Sequence, residues 1–290
     1  MFEGAFTAIV TPFKNNEVDY KSFEKLIEFQ ISGGIHGLVP CGTTGESATL
    51  SHQEHKDVIK FTIDVVKKRV PVIAGSGSNS TAEAIELTKF AKSVGAEGAL
   101  LITPYYNKPT QEGLYQHYKT VAENVAIPIV VYNVPSRTGV NMLPPVFERL
   151  KEIRNIVAVK EASGNINQGM DIIELTEGKM NVLSGDDPLY LSLLAVGGKG
   201  IISVVSNIIP GDVAEVYNLF KKKDGNKAME VFYRYYYLTK SCFYETNPIP
   251  VKTALKLMGM VSGEMRLPLC SMNKSNEEKL ILDLQNYNLI

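Results

Sequence analysis

Three stretches of the chain carry residue types able to do carbonyl chemistry: Val159-Lys160-Glu161-Ala162, Tyr132-Asn133-Val134-Pro135-Ser136-Arg137-Thr138-Gly139 and Gly42-Thr43-Thr44-Gly45-Glu46-Ser47. Lys160 ends the apolar run Asn155-Ile156-Val157-Ala158-Val159 and is followed by a turn at Gly164. Side chains of a strand alternate between faces, so Ile156, Ala158 and Lys160 share one side and the lysine closes a core-facing row. A lysine in that place either caps the run and snorkels to water or is kept dry. A dry amine is driven toward its neutral, nucleophilic form, the state that condenses with a carbonyl to give a Schiff base. Such a reaction needs a proton shuttle, which Tyr132 could supply, with a threonine hydroxyl and a second tyrosine passing protons outward. Arg137 could grip a substrate carboxylate through two parallel N–H bonds. Singly, each has a plainer reading: Gly-Thr-Thr-Gly as a turn, Tyr105-Tyr106 as loop packing, Arg137 as a surface charge.

Elements must bring these residues together, and the sequence suggests which. Short β-type runs fall at residues 5–10, 37–41, 70–74, 99–103, 127–132, 156–160, 181–184 and 200–205, alternating with amphipathic patterns such as Phe23, Leu26, Ile27 and Ile31. Ser51-x-x-Glu54 and Ser80-x-x-Glu83 read as capping boxes opening two of the helices. Eight β/α units with strands apolar on both faces predict a (β/α)8 TIM barrel, an α/β fold, over residues 1–222. Residues 223–290 read as a C-terminal helical extension, in which the aromatic run Phe232-Tyr233-Arg234-Tyr235-Tyr236-Tyr237 serves packing or a subunit interface. An open doubly wound sheet is the competing architecture. It would be expected to carry a GxGxxG after the first strand, and none is there.

In a barrel the chemistry gathers at the C-terminal ends of the strands. The three stretches above fall there, together with Tyr105-Tyr106-Asn107, Gly185-Asp186-Asp187 and Ile201-Ile202-Ser203. Their joint placement outweighs the plain reading of each alone.

Composition narrows the function classes. The 290 residues are 44% hydrophobic and carry 30 basic against 31 acidic side chains, net charge −1, with no block of like charge. A footprint for nucleic acid or an anionic membrane is therefore absent, and a small-molecule substrate is expected. No apolar stretch approaches the ~18 residues of a membrane span, and the N-terminus has no basic region ahead of an apolar one, so a cytoplasmic protein is expected. Cys41, Cys242 and Cys270 are widely spaced, which argues against a disulfide framework and against a zinc site. Cys41 is expected to be a small buried core residue.

The quoted motifs, with Ala8-Ile9-Val10-Thr11-Pro12, Asn247-Pro248-Ile249-Pro250-Val251-Lys252 and Arg266-Leu267-Pro268, resemble the pyruvate-dependent class I aldolase and lyase family of dihydrodipicolinate synthase and N-acetylneuraminate lyase, nearly end to end. The doubled threonine and Arg137 are similar to its synthase branch. The resemblance implies that Lys160 forms the Schiff base with pyruvate, that Tyr132 is the acid/base, and that Thr44 links it to Tyr106, which in this family comes from the neighbouring subunit. It also implies that Thr43 and Thr44 hold the pyruvate carboxylate, that Arg137 binds the carboxylate of L-aspartate 4-semialdehyde, and that Gly185 and Ile202 line the pocket. No metal and no organic cofactor is implied, and the assembly implied is a homo-oligomer, a dimer of dimers. Members inhibited by L-lysine use positions matching Ser47, Ala48, His52, His55, Asn79, Glu83 and Tyr105, and all these types are present. The same lysine and tyrosine would serve a lyase of N-acetylneuraminate or a 2-keto-3-deoxy acid. A non-catalytic barrel that binds a keto acid is a third reading.

Overall fold

The structure, a computed structural model, describes residues 1–290. Eight strands follow one another along the chain: β1 Gly4–Ala8, β2 Gly37–Val39, β3 Ile73–Gly75, β4 Gly98–Ile102, β5 Ile129–Asn133, β6 Ile156–Glu161, β7 Asn181–Ser184 and β8 Gly200–Ser203. They hydrogen bond in one sheet in the order β2-β1-β8-β7-β6-β5-β4-β3, and every ladder whose register is resolved is parallel. The main helices between and after them are α1 Tyr20–Ser32, α2 His52–Val66, α3 Thr81–Ser93, α4 Gln111–Asn124, α5 Pro144–Leu150, α6 Ile166–Thr176, α7 Tyr190–Ala195, α8 Pro210–Lys221, α9 Gly225–Ser241, α10 Ile249–Leu257 and α11 Lys274–Asn286. All eight expected strands are present, and their shifted ends have local causes. The third starts at Ile73 because Pro71 has no N–H to give and the N–H of Val72 goes to the Glu97 carboxylate at 2.9 Å. Strand β2 stops at Val39, with Cys41 in the left-handed region at φ 55°, and β8 stops at Ser203, whose hydroxyl receives the Ser206 N–H at 3.0 Å as a helical turn begins. The small antiparallel hairpin of Phe13–Lys14 with Glu17–Val18 is not among the strands expected from the sequence.

The chain divides into two compact units. The first comprises Met1–Gly4 with Pro71–Ile202. Its strands put Leu101, Val131, Val159 and Val182 on the side that faces helices, where they pack with Tyr118 and Phe147. On α4 the buried residues Leu114, His117, Tyr118, Val121 and Ala122 follow helical spacing, the stripe that covers a sheet.

The second unit comprises Ala5–Val70 with Ser203–Ile290. Here α1 buries Phe23, Leu26, Ile27 and Gln30, and the Gln30 amide accepts the Thr7 hydroxyl at 2.6 Å while donating to Ser206 O at 2.9 Å. Pairing both ends of that amide removes the cost of burying it. Along α9, Phe232 and Tyr235 are buried and Tyr233 and Tyr237 exposed, so the aromatic run is partly packing. Ser51 and Glu54 form the expected capping box at α2. The expected box at Ser80 and Glu83 does not form: the Ser78 hydroxyl takes the Ser80 N–H at 3.1 Å and donates to Glu83, so a different serine satisfies this end. No helix is long and apolar enough to cross a membrane.

Gly200 shows how tightly the first unit closes on its own N-terminus. Its φ is +149°, and a Cβ there would lie 2.0 Å from Gly4 O and 2.7 Å from Gly4 N. Both the backbone conformation and the space demand glycine. Gly200→Ala is expected to cost more than about 2 kcal/mol, seen as a lower melting temperature; an unchanged melting temperature would contradict the close approach.

Candidate active site

In the first unit the register of β5 on β6 sets Tyr132 opposite Lys160 and Asn133 opposite Glu161. Alternation then puts both members of the first pair on one face of the sheet and both members of the second on the other. Lys160 is 5% exposed and Tyr132 6% exposed, and Lys160 Nζ lies 4.1 Å from the centroid of the Tyr132 ring. The amine expected to be dry is therefore buried on a phenol. On its other side β7 places Leu183 opposite Lys160, and Gly185 follows at the strand end, its N–H bonded to Glu161 O at 2.7 Å. A Cβ on Gly185 would sit 2.6 Å from Ala162 Cβ and 3.1 Å from Lys160 Cε. Glycine is what lets the lysine side chain pass over that strand end.

One residue farther along each strand, a polar network fastens the opposite face. Asn133 Nδ2 donates to Glu161 Oε2 at 3.1 Å and to Asn141 Oδ1 at 2.8 Å, while Gln168 Nε2 donates to Glu161 Oε1 at 3.3 Å and to Asn141 Oδ1 at 3.1 Å. The Ser163 N–H completes the set on Glu161 Oε1 at 2.8 Å. Burial pushes the Glu161 carboxyl above its ordinary pKa, and these donors pull it back. Asp186 is also raised by burial, and the charge of Lys160 opposes the shift, so an acidic group stands within electrostatic reach of the amine. Neither Glu161 nor Asp186 was assigned a role from sequence. Their signal was available, since each lies one residue beyond a residue that was.

Ile202 is fully buried in β8. Arg137 is exposed on the single helical turn Pro135–Thr138 that follows β5. Tyr106 is 87% exposed on the loop after β4 with φ 72°. Nearby, Asn79 Nδ2 donates to Tyr105 O at 3.2 Å, and the Tyr105 phenol is raised first by burial and then by the charge of Glu83. Three of the residues matched to lysine binding, Asn79, Glu83 and Tyr105, are thus neighbours.

The second unit holds the threonine turn. Gly45 N and Ser47 N bond to Gly42 O and Glu46 N bonds to Thr43 O, a compact reversal in which Glu46 takes the left-handed conformation at φ 52°. Thr43 is half-buried and Thr44 buried. The Thr11 hydroxyl donates to Gly45 O at 2.7 Å, and Asn247 Nδ2 donates to Thr44 Oγ1 at 2.9 Å. Lys252 Nζ pairs with Glu46 and donates to Thr11 O at 3.0 Å, both charged side chains being almost wholly inaccessible. Burial pulls the Lys252 pKa down and the Glu46 carboxylate opposes the shift. The Arg266 N–H reaches Glu46 Oε2 at 3.3 Å. Ser47 and Ala48 lie at the following 3-10 turn, Ser47–Thr49, with His52 exposed at the start of α2 and His55 buried on it. Cys41 is buried and its thiol raised by burial, as expected of a core residue.

Arg266 also ties this region to α2. Its guanidinium bonds both carboxylate oxygens of Glu54, at 2.8 and 2.6 Å, and holds that carboxyl at about 2 against an ordinary 4.5. A depressed folded-state value stabilises the protein fully above the unfolded value and loses that contribution as pH falls through the window from 4.5 to about 2. Glu54→Gln is therefore expected to melt below the unsubstituted chain at pH 7, with the gap closing between about pH 5 and 2. A gap of constant size across that range would contradict the pairing.

Comparison with known proteins gives one answer. The model of the Dihydrodipicolinate synthetase family matches residues 1–287. A 4-hydroxy-tetrahydrodipicolinate synthase of Syntrophus aciditrophicus is 57% identical over 290 residues, covering all of both chains. The crystal structure of a chloride-inhibited dihydrodipicolinate synthase from Acinetobacter baumannii, complexed with pyruvate, superposes with a TM-score of 0.98 at 48% identity and full coverage of both chains. That of the enzyme from Cyanidioschyzon merolae with lysine bound has a TM-score of 0.96 at 40% identity, covering 100% of this chain and 99% of the other. The (β/α)8 barrel expected from the strand count is their fold, and this chain belongs to the dihydrodipicolinate synthetase family.

Proposed function

We propose that the chain condenses pyruvate with L-aspartate 4-semialdehyde through a Schiff base on Lys160, giving 4-hydroxy-tetrahydrodipicolinate, the first committed step of lysine and diaminopimelate synthesis. The observation that carries this reading is a primary amine buried against a phenol at a strand end, Lys160 Nζ 4.1 Å from the Tyr132 ring centroid. The Lys160 amine adds to the keto carbon of pyruvate, the carbinolamine loses water, and the imine loses a methyl proton to become an enamine. The enamine carbon attacks the aldehyde of the second substrate, whose amino group then displaces Lys160 as the ring closes. The imine is the electron sink, so the reaction calls for neither a metal nor an organic cofactor.

Tyr132 is the acid and base for these proton transfers, and Thr44 relays them to Tyr106. The exposure of Tyr106 suits a side chain delivered to a neighbouring copy, in a homo-oligomer built as a dimer of dimers. Thr43 and Thr44 hold the pyruvate carboxylate, the backbone at Gly185 and Ile202 lines the pocket, and Arg137 binds the carboxylate of the semialdehyde. Residues 1–222 are the catalytic barrel and 223–290 its extension, in a cytoplasmic enzyme. L-Lysine, bound in the Cyanidioschyzon merolae relative, acts here as an inhibitor at Ser47, Ala48, His52, His55, Asn79, Glu83 and Tyr105. The contact between Asn79 and the backbone of Tyr105, with Glu83 near its phenol, supports that grouping.

Arg137 separates this reaction from sugar-acid cleavage, which would use the same lysine and tyrosine. A coupled assay with pyruvate and aspartate semialdehyde is expected to show that Arg137→Ala lowers kcat/KM for the semialdehyde by about 100-fold, with the KM for pyruvate nearly unchanged. Full activity of Arg137→Ala, or faster turnover of N-acetylneuraminate than of the semialdehyde by the unsubstituted enzyme, would contradict the proposed substrate.

A further inference from the structure

Asn247 lies outside every stretch singled out for chemistry, on the segment leading into α10, yet its amide reaches Thr44 across 203 positions of sequence. The contact is a 2.9 Å hydrogen bond from Nδ2 to Oγ1 between residues 4% and 3% exposed. A threonine hydroxyl has two acceptor sites and one proton, whereas an amide nitrogen only donates. With Asn247 on one acceptor site, the Thr44 hydroxyl keeps one lone pair and one proton. That is the minimum a group needs to take a proton on one side and give one on the other.

The surrounding contacts hold this amide in place. Five residues on, Lys252 of α10 pairs with Glu46 and bonds Thr11 O at 3.0 Å, while the Thr11 hydroxyl bonds Gly45 O at 2.7 Å. The segment carrying Asn247 is thereby fastened to the same turn at a second point, two residues past Thr44. The charged groups on the elements packed here are Glu46 of the turn, Lys252 of α10 and Arg266 of the following segment; the Lys252 amine pairs with Glu46, while Arg266 reaches Glu46 through its backbone N–H and turns its guanidinium to Glu54. None of them takes the place of Asn247 on the Thr44 oxygen. We propose that Asn247 is a positioning residue for the reaction: by donating to Thr44 Oγ1 it fixes the hydroxyl as a one-in, one-out proton relay. This rests on the relay role assigned to Thr44 above.

Substitution at 247 tests it. Asn247→Ala frees the hydroxyl to rotate and is expected to lower kcat about tenfold. Asn247→Asp keeps the size but replaces the donor with a carboxylate that captures the Thr44 proton, so at pH 8 its kcat should fall below that of Asn247→Ala. As pH drops the carboxyl gains a proton and can donate as the amide did, and the order of the two variants should reverse. A role confined to packing predicts no reversal. In a Thr44→Val background neither substitution should reduce kcat further, because the oxygen they act through is gone. The proposal is overturned if Asn247→Asp retains full kcat at pH 8, if the order of the variants does not change with pH, or if their losses add to that of Thr44→Val. Full kcat in Thr44→Val alone would instead overturn the relay, and with it the reading on which Asn247 depends.

Discussion

Lys160 and Tyr132 face each other across one parallel strand pair, and that register is the constraint on which the proposed chemistry depends. A lysine loses its hydration when buried and keeps a useful amine only if the surroundings hold it in one place. Here the surroundings do so from three sides. The phenol ring lies under Nζ, Gly185 leaves room beside Cε, and the network around Glu161 locks the same two strands from their opposite face. A slip of one residue in the register would move Lys160 off Tyr132 and break the bond between Asn133 and Glu161 together.

The threonine turn is held by a different kind of force. Lys252 and Glu46 are charges removed from water, and such a pair adds little net stability compared with an apolar substitute. What it supplies is geometry: breaking it would leave a buried charge unpaired, so the turn and α10 keep their mutual placement. The C-terminal segment is thus more than an appendage, since it is fastened to the turn that carries Thr43 and Thr44.

Much of the strand pair that carries Lys160 and Tyr132 was legible in the sequence, because alternation is local. The run from Ile156 to Lys160 announced both a strand and the face of its lysine, and Tyr132 was placed by the barrel reading, at the end of the fifth expected strand. Strand ends were less legible, since they depend on groups elsewhere: Val72 gives its N–H to Glu97, and Ser203 caps a turn. At Ser80 and Glu83 the spacing of a capping box was present but a nearby serine competed for both groups. Asn247 and Lys252 were beyond reach for a plain reason. Their partners lie about 200 residues away, and no local pattern encodes such a contact. Only the likeness of the Asn247-to-Lys252 stretch to the family hinted that it mattered.

Trapping with pyruvate tests the central claim most directly. Incubation with pyruvate followed by borohydride reduction is expected to add one reduced pyruvate to the chain, located on Lys160 by peptide mass analysis, and to abolish condensation activity. An unmodified chain, or an adduct located on a lysine other than Lys160, would contradict the assignment of the buried amine as the Schiff-base nucleophile.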